Sequence, residues 1–176
     1  GFITSVGVEV SSWDSNYRLL MTDIYGCSNP NGFLVNMDGQ ILGILRNSYN
    51  TEDTRNLISA IGITELKKSI EMMSNQEQLP YLGVKGTDVT QQAHDSQNIP
   101  YGAYITGVKL DSPAMQAGLQ AGDVIVQIGE KDISSMYTFT YNLYQLNAGD
   151  AVTLVVMRQS QGEYKESTLQ IVLSSQ

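Results

Sequence analysis

Short apolar runs separated by turn formers occupy the first 46 residues of the chain, a pattern typical of antiparallel β-strands. Apolar residues alternate in part with small or polar ones over residues 2–10, and a second apolar run follows at 17–21. Residues 11–16 between these runs are turn formers. The pattern therefore predicts two strands joined by a loop.

A hairpin is predicted next. The runs 33–35 and 41–44 are both apolar, and they flank Asp38-Gly39, two residues that tolerate positive φ angles. A helix over residues 64–73 follows, because Leu66, Ile70 and Met73 recur at spacings of four and three. Thr64 is the expected N-cap of this helix, and residues 74–80 form a short polar linker.

After the linker, strands and short helices mix in a module of about 95 residues, a size at which a domain folds by itself. Phe139, Leu143 and Leu146 share one stripe of the longer predicted helix, so this face packs on the sheet or lines a groove. The predicted strands are 81–84, 104–108, 123–128, 152–157 and 169–173, and the predicted helices lie near 114–117 and 136–146.

Composition and charge exclude several classes of function. The 176 residues include 10 basic and 18 acidic ones, a net charge of −8, and this deficit is shared equally by residues 1–78 and 79–176. Such a surface has no basic face for a nucleic acid or an anionic membrane. The longest apolar stretches, such as 154–157, are far shorter than the roughly 20 residues of a membrane span.

Cysteine and histidine are too scarce for most metal or disulfide chemistry. Cys27 is the only cysteine, which excludes an internal disulfide, and His94 is the only histidine, which excludes a site built from two imidazoles. We expect neither a metal nor a cofactor. The chain opens without an initiating methionine or an apolar leader, and we expect it to be a fragment of a longer protein.

One stretch of the second module carries a long and specific resemblance. The sequence Ser-Pro-Ala-Met-Gln-Ala-Gly-Leu-Gln-Ala-Gly-Asp-Val-Ile at 112–125 is similar to the most recognisable part of PDZ domains of the bacterial HtrA type. The residues 147–150 and Arg158 also fit the family pattern. The resemblance implies a circularly permuted PDZ fold whose first strand follows a carboxylate-binding loop, placed here at residues 81–84.

The chemistry of that loop can be argued from its residues. A glycine between apolar residues, as in Tyr81-Leu82-Gly83-Val84, lets consecutive backbone N–H groups converge on an anion, and the following strand edge can pair with an extended peptide. A peptide C-terminus is the expected ligand. Its last side chain would enter a pocket with walls at Leu82, Val84, Phe139 and Leu143, although these residues are equally compatible with a simple core role.

The segment before the linker resembles the second β-barrel half of the trypsin-like domain of HtrA proteases. The resemblance rests on Thr22-Asp23 and on the apolar runs 32–36 and 38–44. Where that family carries Gly-Asn-Ser-Gly-Gly, this chain has Ser28, Asn29, Pro30, Asn31 and Gly32, so that proline occupies the nucleophile position.

Proline at that position removes both the attacking hydroxyl and an N–H donor of the oxyanion hole. The loss of one oxyanion donor alone typically costs about 10²–10³ in turnover. The family's catalytic His and Asp fall upstream of this sequence, and His94 falls in the PDZ module. We therefore predict that the chain as it stands is not an enzyme.

Four single residues keep alternative interpretations. Ser28 or Cys27 could act as a displaced nucleophile. In the alternative interpretation, Ser28 is an ordinary turn residue and Cys27 is a small buried apolar residue. His94 is a solvated loop or short-helix residue, or else a pH sensor. Trp13 is an exposed contact, or else it packs against the barrel.

We thus expect a mainly β fold with short helices: half of a trypsin-like barrel over residues 1–73, a linker at 74–80 and a PDZ domain at 81–176. Bare strand edges need a cover, from a missing N-terminal barrel half, the PDZ module or a second copy of the chain. The predicted function is an HtrA-like pseudoprotease fragment that binds C-terminal or extended segments of peptides and unfolded proteins outside the cytoplasm. It has no nucleic-acid partner, and it reaches a membrane only through an anchor outside this sequence. The alternative is an active serine endopeptidase, once the chain is joined to its N-terminal half.

Overall fold

The computed structural model describes residues 1–26, 30–46, 52 and 56–175. The chain forms two compact units. The first unit contains Gly1–Val10 and Tyr17–Ser74, and the second contains Ser11–Asn16 and Asn75–Gln176. The short segment Ser11–Asn16, which we call the hairpin tip, therefore belongs to the second unit. The domain boundaries given above stay a prediction.

The first unit is an antiparallel sheet followed by one helix. Its strands lie side by side in the order β1-β2-β5-β4-β3. The hairpin β3–β4 pairs Phe33 with Ile44 and Leu34 with Gly43, which agrees with the predicted turn at Asp38-Gly39. The elements are β1 Ile3–Ser12, β2 Ser15–Tyr25, β3 Phe33–Val35, β4 Ile41–Leu45, β5 Leu57–Gly62 and α1 Ile63–Ser74.

The face of α1 that packs differs from the predicted one. The helix begins at Ile63, so Thr64 lies inside it and is not its N-cap. Ser69 and Met72 are the buried residues of α1, whereas Ile70 and Met73 are exposed. Because the helix continues directly from β5, the strand fixes its rotation, and the apolar spacing alone does not.

Many large apolar side chains of the first unit are exposed. Met37 is fully exposed, and Phe2 and Tyr25 each expose 79% of their surface. The buried part of this unit includes Leu19, Ala60 and Met72. The following residues are also exposed: Ile3, Val6, Val8, Phe33, Val35 and Ile41.

The second unit contains a sheet with strand order β12-β11-β9-β8-β7, in which β10 pairs with β9. A separate pair is formed by β13 and β6. Within the described part of the chain, no helix is long and apolar enough to cross a membrane. The elements are β6 Pro80–Tyr81, β7 Val84–Asp88, α2 Gln91–Gln97, β8 Ala103–Val108, α3 Pro113–Gln116, β9 Val124–Ile128, β10 Lys131–Asp132, α4 Met136–Leu143, β11 Ala151–Ser160, β12 Glu163–Val172 and β13 Ser174–Ser175.

Helix α4 packs its predicted stripe into the core of the second unit. Its start is fixed by a capping box, in which the Ser135 hydroxyl accepts the N–H of Thr138 and the Thr138 hydroxyl accepts the N–H of Ser135. Phe139 and Leu143 are fully buried, and Leu146 packs on the same core from just beyond the helix. The mainly β fold with short helices is confirmed.

Candidate functional site

The predicted strand at 81–84 is interrupted in the structure, and the interruption forms the site. Strand β6 ends at Tyr81 and β7 begins at Val84, with Leu82 and Gly83 between them. Gly83 has a φ of +91°, and a Cβ atom there would lie 2.3 Å from the Cβ of Ser112. A side chain at residue 83 would therefore be both strained and in collision with its neighbour.

The carbonyl groups of this loop are bound on one side. The Leu82 carbonyl accepts the N–H of Ala114 at 3.0 Å, and the Gly83 carbonyl accepts the N–H of Lys109 at 2.9 Å. With these carbonyls held, the N–H groups of Leu82, Gly83 and Val84 converge on one point. We call Leu82–Val84 the carboxylate loop, because such convergent amides bind an anion.

A carboxylate of the chain itself occupies that point. Asp14 Oδ2 accepts the N–H of Leu82 at 2.8 Å and that of Gly83 at 2.9 Å. Asp14 Oδ1 accepts the N–H groups of Gly83 and Val84, each at 2.8 Å. Both carboxyl oxygens thus act as acceptors only, which is the bonding pattern of an ionised carboxylate.

The main chain of Asp14 is bound as well. Its N–H donates to the Val84 carbonyl at 2.7 Å, and its own carbonyl accepts the hydroxyl of Thr140 on α4 at 2.8 Å. The Ser11 hydroxyl donates to the Gly86 carbonyl at 3.0 Å, further along β7. The hairpin tip therefore lies along β7, which is the last strand of its sheet.

Burial and charge oppose each other at Asp14. The residue is only 3% exposed, and burial raises the pKa of its carboxyl. This pKa is lowered by hydrogen bonds from the backbone of Val84, Gly83 and Leu82 and by the positive charge of Lys109. These donors also satisfy both oxygens, without which a buried carboxylate would be very costly.

Two lysines surround the aromatic residues beside the loop. The Lys85 ammonium lies 4.8 Å from the centre of the Trp13 ring, and the Lys109 ammonium lies 5.2 Å from that of Tyr81. Both contacts are of the cation–π type. Trp13 is half-buried and belongs to the second unit, not to the unit that contains the barrel strands, and its role as a contact stays a prediction.

The site contains a bound carboxylate, convergent N–H groups and an edge strand beside them. The profile of the PDZ domain family matches residues 80–173. The chain belongs to the PDZ family.

The PDZ domain and the segment before it also resemble longer proteins. The "Serine protease Do-like HtrB" of Bacillus subtilis is 27% identical over 96% of this chain and 40% of its own length. The "Periplasmic serine endoprotease DegP" of Escherichia coli is 25% identical over the whole chain and 38% of its own length. The chain is thus homologous to HtrA-type serine proteases and spans about two fifths of these relatives.

A solved structure shares the fold of the chain. The "HtrA-type protease AlgW with decapeptide" matches with a TM-score of 0.55 over 90% of this chain and half of that one, at 21% identity. The same comparison covers the PDZ domain and the sheet that precedes it, and at this identity it establishes the fold alone.

The PDZ domain brings the predicted binding residues together in one place. Leu82, Val84, Phe139 and Leu143 all lie fully buried in one core cluster, and their role as pocket walls stays a prediction. Tyr81 is also buried, and its hydroxyl has no hydrogen-bond partner in the described part of the chain.

The predicted nucleophile loop is only partly described. Ser28 and Asn29, together with Cys27, lie outside the described residues. Pro30 and Asn31 precede β3, and the Gly32 carbonyl accepts the N–H of Leu45 at 3.0 Å. The absence of a nucleophile at this loop stays a prediction.

His94 lies in the PDZ domain, on the short polar helix α2. Its ring stacks on Tyr101 with the centroids 4.2 Å apart, and its Nδ1 lies 2.8 Å from the Ile99 carbonyl oxygen. These contacts hold the ring locally against the segment that follows α2.

Asp14 and Thr140 were not predicted as site residues from the sequence. Asp14 is placed in the tip by its left-handed backbone, with a φ of +59°, a conformation that Asp tolerates better than most residues. Its sequence position 68 residues before Leu82 carries no signal of the contact. Only the tight turn between two strands, at residues 13 and 14, was available as a clue.

Proposed function

We propose that the PDZ domain of this chain binds the free carboxyl end of a polypeptide through the carboxylate loop. The observation that supports this most is the set of four N–H bonds that the loop already makes to a carboxylate. Among the described strands, only β8 pairs with β7, so the other edge of β7, along which the hairpin tip lies, has the backbone groups to align an extended ligand.

The whole protein to which the chain belongs is proposed to be an HtrA-like pseudoprotease that works outside the cytoplasm. Pro30 stands where the resemblance places the nucleophilic serine, which removes the attacking hydroxyl. The DegP relative is named a periplasmic endoprotease, which supports the location. The relatives' serine-protease names favour the second candidate, an active endopeptidase formed with an upstream half.

Peptide binding is tested with one matched pair of ligands. A labelled peptide with an apolar last residue and a free carboxylate is titrated against the same peptide with a C-terminal amide, by fluorescence anisotropy. The protein is used both unchanged and as Asp14→Asn, which takes away the internal carboxylate. We expect the acid to bind at least tenfold more tightly than the amide, because the amide lacks the charge and one acceptor.

Equal binding of acid and amide, or no binding to either protein, would show that the proposed function is wrong. The pseudoprotease proposal is tested separately on the full-length protein, with a fluorophosphonate probe and mass spectrometry of the labelled peptide. We expect no labelling. Labelling at Ser28 would instead establish the endopeptidase.

A further inference from the structure

The hairpin tip offers the PDZ domain the groups that the last residue of a peptide would offer. Its carboxylate oxygens accept from Leu82, Gly83 and Val84. Its backbone N–H donates to the carbonyl of Val84. A C-terminal residue aligned on β7 would have to use the same four backbone groups. These are the three N–H groups of the carboxylate loop and the Val84 carbonyl.

The contact is built around the carboxylate and is not a by-product of the turn. A left-handed turn residue needs no hydrogen bond from its side chain to a distant loop, and Asp111, also at φ +59°, has an exposed side chain. At Asp14 the equivalent carboxylate is withdrawn from water and accepts four hydrogen bonds from three N–H groups. A buried charge is stable only where such hydrogen bonds compensate for its lost hydration.

Further contacts of the hairpin tip reach α4 and the edge of β7. Thr140 on α4 holds the Asp14 carbonyl, and Ser11 reaches the Gly86 carbonyl on β7. The tip therefore engages the helix and the strand edge as well as the loop. An external peptide strand on β7 needs the Val84 carbonyl that Asp14 already uses.

We propose that the hairpin tip is an internal ligand of the PDZ domain, and that a C-terminal peptide binds only when Asp14 leaves the carboxylate loop. This inference rests on the proposed function. The apparent association constant for a peptide is then the intrinsic constant multiplied by the fraction of molecules whose tip is undocked. By linkage, a bound peptide keeps the tip undocked to the same degree.

The test compares the whole chain with two variants that make the same change. Asp14→Asn keeps the shape of the side chain and the left-handed turn, but its NH₂ group faces N–H donors of the loop. Asp111→Asn is the matched control, at the same φ but with an exposed side chain. Two quantities are measured: hydrogen exchange of the Leu82, Gly83 and Val84 amides without peptide, and the affinity for the free-carboxylate peptide.

We expect Asp14→Asn to exchange these three amides at least tenfold faster and to bind the peptide at least tenfold more tightly than the unchanged chain. Asp111→Asn should match the unchanged chain in both. If Asp14→Asn does not fold, Thr140→Val serves instead, since it removes only the hydroxyl that holds the tip, and a smaller change in the same direction is expected.

The outcomes separate this inference from the proposed function. Equal affinity of the unchanged chain and Asp14→Asn for the peptide, with the acid still preferred over the amide, overturns the internal ligand and leaves the function in place. Unchanged exchange of the three amides also overturns it. If neither protein binds the acid, both the function and the competition are wrong, and the loop is only an anchor for the tip.

Discussion

A single methyl group at residue 83 should disable the carboxylate loop. In Gly83→Ala the new Cβ would lie 2.3 Å from Ser112 Cβ and 2.9 Å from Ser112 Oγ, so the backbone has to move. The left-handed φ of +91° adds about 1–2 kcal/mol for any residue with a Cβ. The control is Gly107→Ala on β8, where nothing lies within 4 Å of the added Cβ.

The magnitude follows from the bonds that depend on residue 83. A hydrogen bond to a charged group contributes about 1.5–3 kcal/mol. The Gly83 N–H makes two of the four bonds to the carboxylate, at 2.8 and 2.9 Å. Both bonds come from one N–H donor, so losing them costs about 1.5–3 kcal/mol, which corresponds to a loss of affinity of about ten- to a hundredfold.

The assay is anisotropy with the free-carboxylate peptide, and both glycine variants are made in the Asp14→Asn background. That background is needed because the loop also holds Asp14, and damage to the loop would weaken the competitor together with the ligand. Circular dichroism checks that each variant is folded. If folded Gly83→Ala binds within threefold of Gly107→Ala, the N–H groups of this loop do not hold the peptide carboxylate.

Two other contacts of the PDZ domain and one in the first unit give contrasting expectations. Arg158 donates to both oxygens of Asp123 at 2.7 Å, and Asp123 is 1% exposed, so Arg158→Met should lower the free energy of unfolding by about 3 kcal/mol. Arg18→Met, in a 3.9 Å pair between exposed side chains, should change it by less than about 0.5 kcal/mol, and urea titrations of both variants test the contrast. Ser135→Ala removes the N-cap of α4 and should cost about 1 kcal/mol in the same titration, whereas an unchanged midpoint would mean that the cap is redundant.

The parts of the fold that repeat a local rule could be predicted from the sequence. The hairpin at Asp38-Gly39 needed only two apolar runs and two residues that tolerate positive φ. The stripe of Phe139 and Leu143 needed only the helical period, and both residues are fully buried. Such features depend on neighbours within a few positions, so the sequence contains the whole signal.

Features that the hydrophobic pattern does not mark were missed. Helix α2 has no buried residue, so no apolar period marked it, and it rests on the N-cap Thr90 and the left-handed C-cap Asn98. The packed face of α1 is fixed by the strand before it, and for this reason Ile70 and Met73 are exposed despite their spacing. In both cases the deciding contact is absent from the hydrophobic pattern.

The candidate site also has one part with a local sequence signal and one part without. The carboxylate loop could be predicted, because a glycine between apolar residues is a local signal and the resemblance placed it at residues 81–84. Its occupant could not, because Asp14 and Leu82 are 68 residues apart and share no pattern. A turn-forming Asp at a hairpin tip looks the same in sequence whether its carboxylate is in water or in a loop.

The three convergent N–H groups of the loop fit a carboxylate, and a chain terminus and an aspartate side chain each present two oxygens to such groups. The N–H that Asp14 donates to the Val84 carbonyl is likewise available from any residue except proline.

A peptide that displaces the tip therefore needs a favourable contact that Asp14 lacks. The side chain of Asp14 is itself the carboxylate arm, whereas a terminal residue carries a separate side chain that can be buried. Burying a Val or Leu side chain contributes about 1.5–3 kcal/mol, or about one to two orders of magnitude in affinity. It follows that peptides ending in large apolar residues should displace the tip, and that a peptide ending in glycine should not.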